Sequence, residues 1–111
     1  MATSRISKTA DVTTIGSNSK LYRVGNLRIL QVNGAPPHGA TLSAQDKPST
    51  TVSGVAVCNT SDGNLYCGLG KIEIATSGAV SCKVATVYYT GNAGYSVFTS
   101  GVMSGTVVWT V

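Results

Sequence analysis

Acidic residues and histidine are scarce in this sequence, which removes most of the residue types that enzymes use. The 111 residues include four acids, Asp11, Asp46, Asp62 and Glu73, and a single histidine, His38. The acids are scattered, so no pair of carboxylates suited to hydrolysis is visible. His38 has no nucleophile motif beside it, and no glycine motif of the phosphate-binding kind precedes a predicted helix. We therefore expect a protein that is not an enzyme and uses no cofactor.

Segments with the residue spacing of a helix are also missing. No stretch of ten residues places Leu, Glu, Lys, Gln or Arg at a 3.6-residue period. Only 11% of the residues are charged and 42% are hydrophobic, and the polar remainder is mostly Thr, Ser, Gly and Asn. This composition favours strands and turns, and a chain of this length forms one domain. We predict an all-β domain with almost no helix.

Long apolar runs are absent, and cysteine is limited to three residues. No segment is typical of a signal peptide or a membrane span, so we expect a cytoplasmic product that is neither secreted nor inserted into membranes. Cys58, Cys67 and Cys82 lack the C-x-x-C spacing of zinc or thioredoxin-like sites. Cys82 alternates with Val80 and Val84, which predicts a buried thiol. Cys58 and Cys67 flank a turn and either pair across a hairpin or stay reduced.

Turn-forming residues divide the chain into about eight short strands. Residues 1–10 are polar and basic without periodicity, and we expect them to form a flexible arm. Strands are predicted at Val12–Ile15, Lys20–Val24 and Leu27–Asn33. Gly25–Asn26 separates the last two, and this dipeptide is a strong hairpin signal because both residues tolerate positive φ.

A proline-rich stretch, GAPPHGATLSAQDKPS at residues 34–49, separates this hairpin from the later strands. A connection of this length usually crosses from one sheet to another. Residues 11–111 are therefore predicted to form one antiparallel β-sandwich with jelly-roll or Greek-key topology. The later strands are predicted at Thr50–Cys58, from Leu65 through Lys71–Ile74, at Val80–Val84, and as one or two strands within Ser96–Val111 broken near Ser100–Gly101 or Ser104–Gly105.

Two places in the chain are candidate ligand contacts. The segment from Tyr88 to Tyr95 contains Tyr88, Tyr89, Asn92 and Tyr95 and is predicted to be a loop. Flat aromatic faces beside planar polar groups are typical of sugar sites. These tyrosines equally suit the closed end of a sandwich or a subunit contact. His38 in the proline-rich stretch is the second candidate, with a plain solvent-exposed side chain as the alternative.

Cations outnumber anions by eight to four, for a net charge of +4. This balance mildly favours anionic partners or serves solubility alone. Lys20, Arg23 and Arg28 lie around the first hairpin, where they form either a basic stripe or a solvated face. Tyr22–Arg23 is the one neighbouring pair of an aromatic residue and a cation, so nucleic acid is not the expected partner.

Several segments share their order and spacing with a known family. Tyr22–Ile29 (YRVGNLRI) and Leu42–Ser49 (LSAQDKPS) are followed by Lys71–Ile74 and Ser77–Val80, and the chain closes on a strand. This arrangement resembles the head domains of receptor-binding proteins in the tail tips and baseplates of siphophages. The segments are similar to the opening hairpin of those heads, their linking segment, and their element of strand, glycine turn and strand. The resemblance spans most of residues 20–111.

The resemblance implies a jelly-roll-like sandwich, often trimeric, that attaches a phage to saccharides or anionic glycopolymers of a Gram-positive cell wall. It also implies a place in the virion, in the phage tail, among other tail proteins. We therefore expect a non-enzymatic tail or baseplate domain that binds host-surface saccharide during adsorption. A structural or accessory virion protein without a receptor site is the first alternative, and a small nucleic-acid-binding protein is the second.

Overall fold

A computed structural model describes residues 11–59, 67–87 and 93–111, and these residues form an all-β domain. The predicted class and the number of strands are confirmed. The one helix among the described residues is a 3-10 turn at Ala44–Asp46. The predicted arm at residues 1–10 lies outside the described residues. The strands are β1 (Asp11–Ile15), β2 (Ser19–Val24), β3 (Leu27–Gly34), β4 (Val52–Asn59), β5 (Cys67–Ile74), β6 (Val80–Val87), β7 (Ala93–Val97) and β8 (Val102–Thr110).

All eight strands belong to one antiparallel sheet, in the order β1-β2-β3-β8-β4-β5-β6-β7. The strands from β1 to β3, and those from β4 to β7, each pair with the next strand along the chain. β8 returns from beyond β7 and inserts between β3 and β4. A sandwich needs two sheets, whereas this hydrogen bonding joins the strands into one. The predicted jelly-roll or Greek-key sandwich is therefore not confirmed.

The two halves of the sheet are joined over only part of β8. This strand pairs with β3 from Met103 to Thr110, but with β4 only from Val102 to Gly105. Gly54 of β4 lies near the point where the ladder to β8 ends. A Cβ atom at Gly54 would clash with the Thr106 carbonyl oxygen. Glycine therefore permits a close backbone approach where the two strands part.

The turns predicted from glycine are in place. Val24 and Leu27 are opposite each other, with Gly25 at φ 58° in the first turn position, as a type II′ hairpin requires. The break near Ser100–Gly101 is also confirmed, since β7 ends at Val97 and β8 begins at Val102. The alternative break at Ser104–Gly105 lies inside β8.

One face of the sheet, called the inner face here, carries the core. Its side chains alternate along every strand with those of the opposite, outer face. The thiol of Cys82 is buried on the inner face, as predicted, and this burial raises the pKa of Cys82 to about 11. The core comprises Leu21, Leu30, Val32, Leu42, Ala56, Cys58, Ile72, Ile74, Val80, Cys82, Phe98, Met103, Val107 and Trp109.

The ladder between β4 and β5 does not place the first two cysteines opposite each other. Cys58 is opposite Gly68, while Cys67 is opposite Asn59. The two cysteines are therefore not directly opposed in this register, and the alternatives of a Cys58–Cys67 pair and of reduced thiols stay predictions.

Residues 35–51, called the connection here, pass over the inner face between β3 and β4. At one end the connection bonds to the start of β6: the Gly39 amide donates to Val80 O (3.0 Å), and the Val80 amide donates to Ala40 O (2.8 Å). At the other end the Trp109 indole Nε1 donates to Asp46 O of the connection at 2.8 Å. The connection thus covers the core between the two halves of the sheet without forming a second sheet.

Candidate functional site

The predicted tyrosine loop is only partly described. Tyr88, Tyr89 and Asn92 lie outside the described residues. Tyr95 lies in β7, so its placement in a loop is wrong: the segment Ala93–Val97 continues the sheet opposite β6. Its ring is half-exposed on the outer face, and the Lys71 Nζ atom lies 4.3 Å from the ring centroid. This distance is within the range of a cation–π interaction.

His38 has a structural partner inside the protein. Its Nδ1 atom accepts a hydrogen bond from the Cys82 amide at 3.0 Å, and the side chain is half-buried. This hydrogen bond joins the connection to β6. Tyr95 is opposite Ala85 and contacts Lys71 instead. The two predicted contacts thus have different partners and do not form one shared site.

The cations of the first hairpin do not form a basic stripe or a solvated face as a group. Lys20 lies on the outer face and donates to Thr14 Oγ1 at 2.8 Å. Arg23 and Arg28 instead point to the inner face, where both bind the carboxylate of Asp46. Two of the three cations are therefore part of the interior.

Asp46, Arg23, Arg28 and Ser43 form a buried ionic group, called the Asp46 cluster here. Arg23 donates from Nε to Oδ1 and from its Nη2 atom to Oδ2, both at 2.7 Å. Arg28 Nε and Ser43 Oγ complete the shell at 2.8 and 2.7 Å. The hydrogen bonds from Arg23 lower the pKa of Asp46 to about 2 against the opposing effect of burial, and Ser43 and Arg28 add to the lowering.

The Asp46 cluster has a structural role, because it joins β2, β3 and the connection. A carboxylate held ionised by two guanidinium groups is a poor proton donor or acceptor near neutral pH. Arg28 also donates from Nη1 to the carbonyl oxygens of Gly25 and Leu27, so it binds the hairpin turn as well as the connection. The sequence carried a signal for this role, since Arg23 and Arg28 stand two residues from the core residues Leu21 and Leu30.

The outer face of β4 to β7 carries the most exposed apolar surface among the described residues. Five large side chains there, called the outer patch here, are between 51% and 69% exposed. They lie in two neighbouring cross-strand rows of the sheet. The outer patch consists of Val55, Val57, Leu69, Tyr95 and Val97.

The strand registers define these two rows. The first row runs from Val55 through Lys71 and Lys83 to Val97. The second contains Val57 opposite Leu69 and, on the next strands, Ala85 opposite Tyr95. Two lysines separate the valines of the first row, whereas the second row contains no charged residue. Clustered apolar side chains on an exposed face mark an interaction site more often than isolated ones do.

Three charged side chains, Lys71, Lys83 and Glu73, lie within or beside the outer patch. Lys71 Nζ lies 2.6 Å from Glu73 Oε1, and this contact lowers the pKa of Glu73 and raises that of Lys71. Lys71 and Lys83 are directly opposite each other, an arrangement of like charges that is unfavourable in an isolated sheet. The outer patch thus combines one apolar row with one row that carries two lysines.

The other half of the outer face is less apolar. Four valines on β1, β2 and β8 are exposed there, but Val108 alone is more than half exposed; they are Val12, Val24, Val102 and Val108. A polar row from Thr14 through Lys20 and Gln31 to Thr106 crosses β1, β2, β3 and β8. The outer patch is therefore the stronger candidate site, although the sequence analysis did not identify it. The signal available was the pairing of apolar residues in both phases of β4.

Among residues 11–59, 67–87 and 93–111, no three His, Cys, Asp or Glu side chains are grouped as a metal site would require. The described part of the chain also has no helix of the length and apolarity needed to span a membrane. Comparisons with protein-family models, with curated proteins and with solved structures found no match to this chain.

Proposed function

We propose that the protein is a non-enzymatic component of a larger assembly, which it joins by packing the outer patch against another protein. The observation that carries this proposal is the exposure of five large apolar side chains on the outer face of β4 to β7. Burying such a face against another protein lowers the free energy by about 25 cal/mol for each Å² of apolar surface removed from water.

The composition of β4 supports this function. Ala56 and Cys58 are buried on the inner face, and Val55 and Val57 stand between them on the outer face. Strands that are apolar on both faces are typical of sheets covered on both sides. The connection covers the inner face of this sheet, and among the described residues no segment packs over the outer patch. In the proposed assembly, a second protein packs against the outer patch.

The resemblance to siphophage head domains supports a phage tail or baseplate as the assembly. Within such a particle the proposed role is that of a structural or accessory protein, the first alternative of the sequence analysis. Saccharide binding is a second candidate function because Tyr95 keeps half of its surface exposed beside Lys71. An exposed aromatic ring with a polar tip is the usual core of a sugar contact.

The first test places a photo-crosslinking amino acid on the outer face in cells where the particle assembles. Position 69 is in the outer patch, and position 106 is an exposed control on the outer face of β8. We expect position 69 to give an adduct of defined mass with a particle protein, and position 106 to give none. Equal adducts at both positions, or none at either, would contradict a role for the patch.

The second test separates assembly from saccharide binding. Purified wild-type protein and a Tyr95→Ala variant are mixed with isolated Gram-positive cell walls, with and without their anionic glycopolymers. The assembly function predicts no retention of either protein. Retention of the wild type that survives added salt and is lost in Tyr95→Ala would instead establish the saccharide function.

A further inference from the structure

We propose that the partner protein places a carboxylate against Lys83, in the middle of the outer patch, and covers the rest of the patch with apolar side chains. This inference rests on the proposed function and names the chemistry of the partner surface. Of the three charged side chains within or beside the patch in the described part of the chain, Lys83 alone has no ion pair.

Lys83 lies inside the outer patch rather than at its rim. In the first row, Lys71 and Lys83 stand between Val55 and Val97, on the strands β5 and β6. Val97, which is directly opposite Lys83 on β7, is 59% exposed. A protein that packs against Val55 and Val97 at the same time therefore passes over Lys83.

The charges around Lys83 leave one positive charge unbalanced. The Nζ atom of Lys71 lies 2.6 Å from Oε1 of Glu73, so this carboxylate already has a partner. The hydrogen bond from Lys71 is the main cause of the lowered pKa of Glu73, and the charge of Lys83 adds to it. Two lysines thus share one carboxylate, and their direct opposition is unfavourable without a further anion.

Covering an unpaired ammonium group with apolar atoms is costly. The group loses its hydration and gains no counterion, and this penalty offsets the gain from burying the valines in the same row. A carboxylate of the partner at Lys83 supplies the counterion and also relieves the repulsion between the two lysines. A second copy of this chain brings the same excess of positive charge and does not supply it.

The apolar row beside Lys83 favours a protein over a nucleic acid as the source of the anion. Val57 and Leu69 in this row are 52% and 58% exposed, and the row has no charged residue. Nucleic acids bind through several cations that neutralise successive phosphates, whereas the outer patch offers one unbalanced charge beside aliphatic side chains. An acidic residue within an otherwise apolar protein surface matches both rows.

The test adds Lys83→Met to the protein that carries the photo-crosslinking amino acid at position 69, in cells where the particle assembles. Methionine keeps an unbranched apolar side chain at this position and removes the charge. Lys20→Met is the matched control, because Lys20 is also a lysine of the outer face but lies in the polar row on β2. Circular dichroism and the thermal midpoint of each purified variant report whether it is folded.

Lys83→Met should lower the yield of the position-69 adduct at least about tenfold, because the carboxylate of the partner is left in the interface without a counterion. Lys20→Met should leave the yield within about twofold. A yield that rises or stays unchanged in Lys83→Met would overturn the inference and preserve the proposed function, because a purely apolar partner gains from the loss of a charge. No adduct without Lys83→Met, or an adduct with nucleic acid, would overturn both.

A second measurement uses the unmodified protein in the assembled particle. A water-soluble carbodiimide activates a carboxylate, and a lysine amine in contact with it forms an amide as the carbodiimide leaves as a urea. The Lys71–Glu73 pair at 2.6 Å is the internal positive control. We expect mass spectrometry to find Lys83 joined to an aspartate or glutamate of the partner identified at position 69. The Lys71–Glu73 product without a product that joins Lys83 to the partner would overturn the inference.

Discussion

The two faces of the sheet differ in how completely their side chains are partnered. On the inner face, apolar side chains from six strands and two connecting segments form one core. Even the charged Asp46 is only 1% exposed there, and both of its carboxylate oxygens accept hydrogen bonds. On the outer face of β4 to β7, Val55 and Leu69 are more than half exposed. Among the described residues, the connection thus covers the inner face, and the side chains of the outer patch stay exposed.

The comparison also separates two uses of charge. In the Asp46 cluster, one carboxylate joins β2, β3 and the connection through bonds of 2.7 to 2.8 Å. On the outer face, the Lys71–Glu73 pair is partly exposed and joins residues of a single strand. Buried pairs are costly to break because they leave a charge without a partner, while exposed pairs contribute little. The buried ion pairs thus hold separate segments together, whereas the exposed pair contributes little to the free energy of unfolding.

The largest effect is expected from Asp46→Ala. Removing this carboxylate leaves Arg23 and Arg28 buried without their shared anion, and the free energy of unfolding should fall by about 3 to 5 kcal/mol. Urea denaturation measures this loss. The matched control is Glu73→Ala on the outer face, which should cost no more than about 1 kcal/mol. Similar losses in the two variants would remove the distinction between the faces.

A second prediction compares one leucine on each face. Leu30→Ala leaves a cavity in the core and should lower the free energy of unfolding by about 2 to 5 kcal/mol. Leu69→Ala should change the free energy of unfolding by less than about 0.5 kcal/mol, because that side chain is already largely in water. Urea denaturation of the purified protein makes the measurement. A loss above about 2 kcal/mol for Leu69→Ala would show that the patch is part of the core.

A third prediction concerns acid. The pKa of Asp46 is lowered to about 2 in the folded protein from an ordinary value of 3.8, so the unfolded state binds the proton more readily. The stability that this carboxylate contributes is complete above pH 3.8 and is lost as the pH falls through 2. The expected loss is about 2 kcal/mol, measured by urea denaturation at successive pH values. Stability that is flat between pH 5 and 2 would show that the cluster is not ionised as described.

The smallest effect is expected at His38. His38→Ala removes the acceptor for the Cys82 amide and should cost about 1 kcal/mol, seen as faster hydrogen exchange at that amide. His38→Asn offers an amide oxygen near the position of Nδ1 and should restore part of the protection. Equal exchange in the wild type and both variants would mean that this bond does not hold the connection to β6.

The features predicted from sequence are those with local causes. The hairpin at Gly25–Asn26 and the break near Ser100–Gly101 follow from the backbone freedom of glycine, and the burial of Cys82 follows from alternation within one strand. The insertion of β8 between β3 and β4 depends on pairings with strands far away in the chain, which no local pattern specifies.

The site was harder to predict for the same reason. Arg23 meets Asp46 across 23 residues, and the position of Asp46 in a turn-like sequence concealed its role in the interior. The outer patch arises only when Val55, Leu69 and Tyr95 are set side by side on different strands. Of the predicted contacts, Tyr95 belongs to this patch, while His38 fastens the connection.

Hydroxyl-radical footprinting tests the central claim that the outer patch is an interface. The wild type is oxidised as the purified protein and within the assembled particle. Our account predicts that Leu69 and Tyr95 are oxidised less within the particle, while Val108, on the other half of the outer face, is oxidised equally in both states. Equal oxidation of Leu69 and Tyr95 in both states would contradict it.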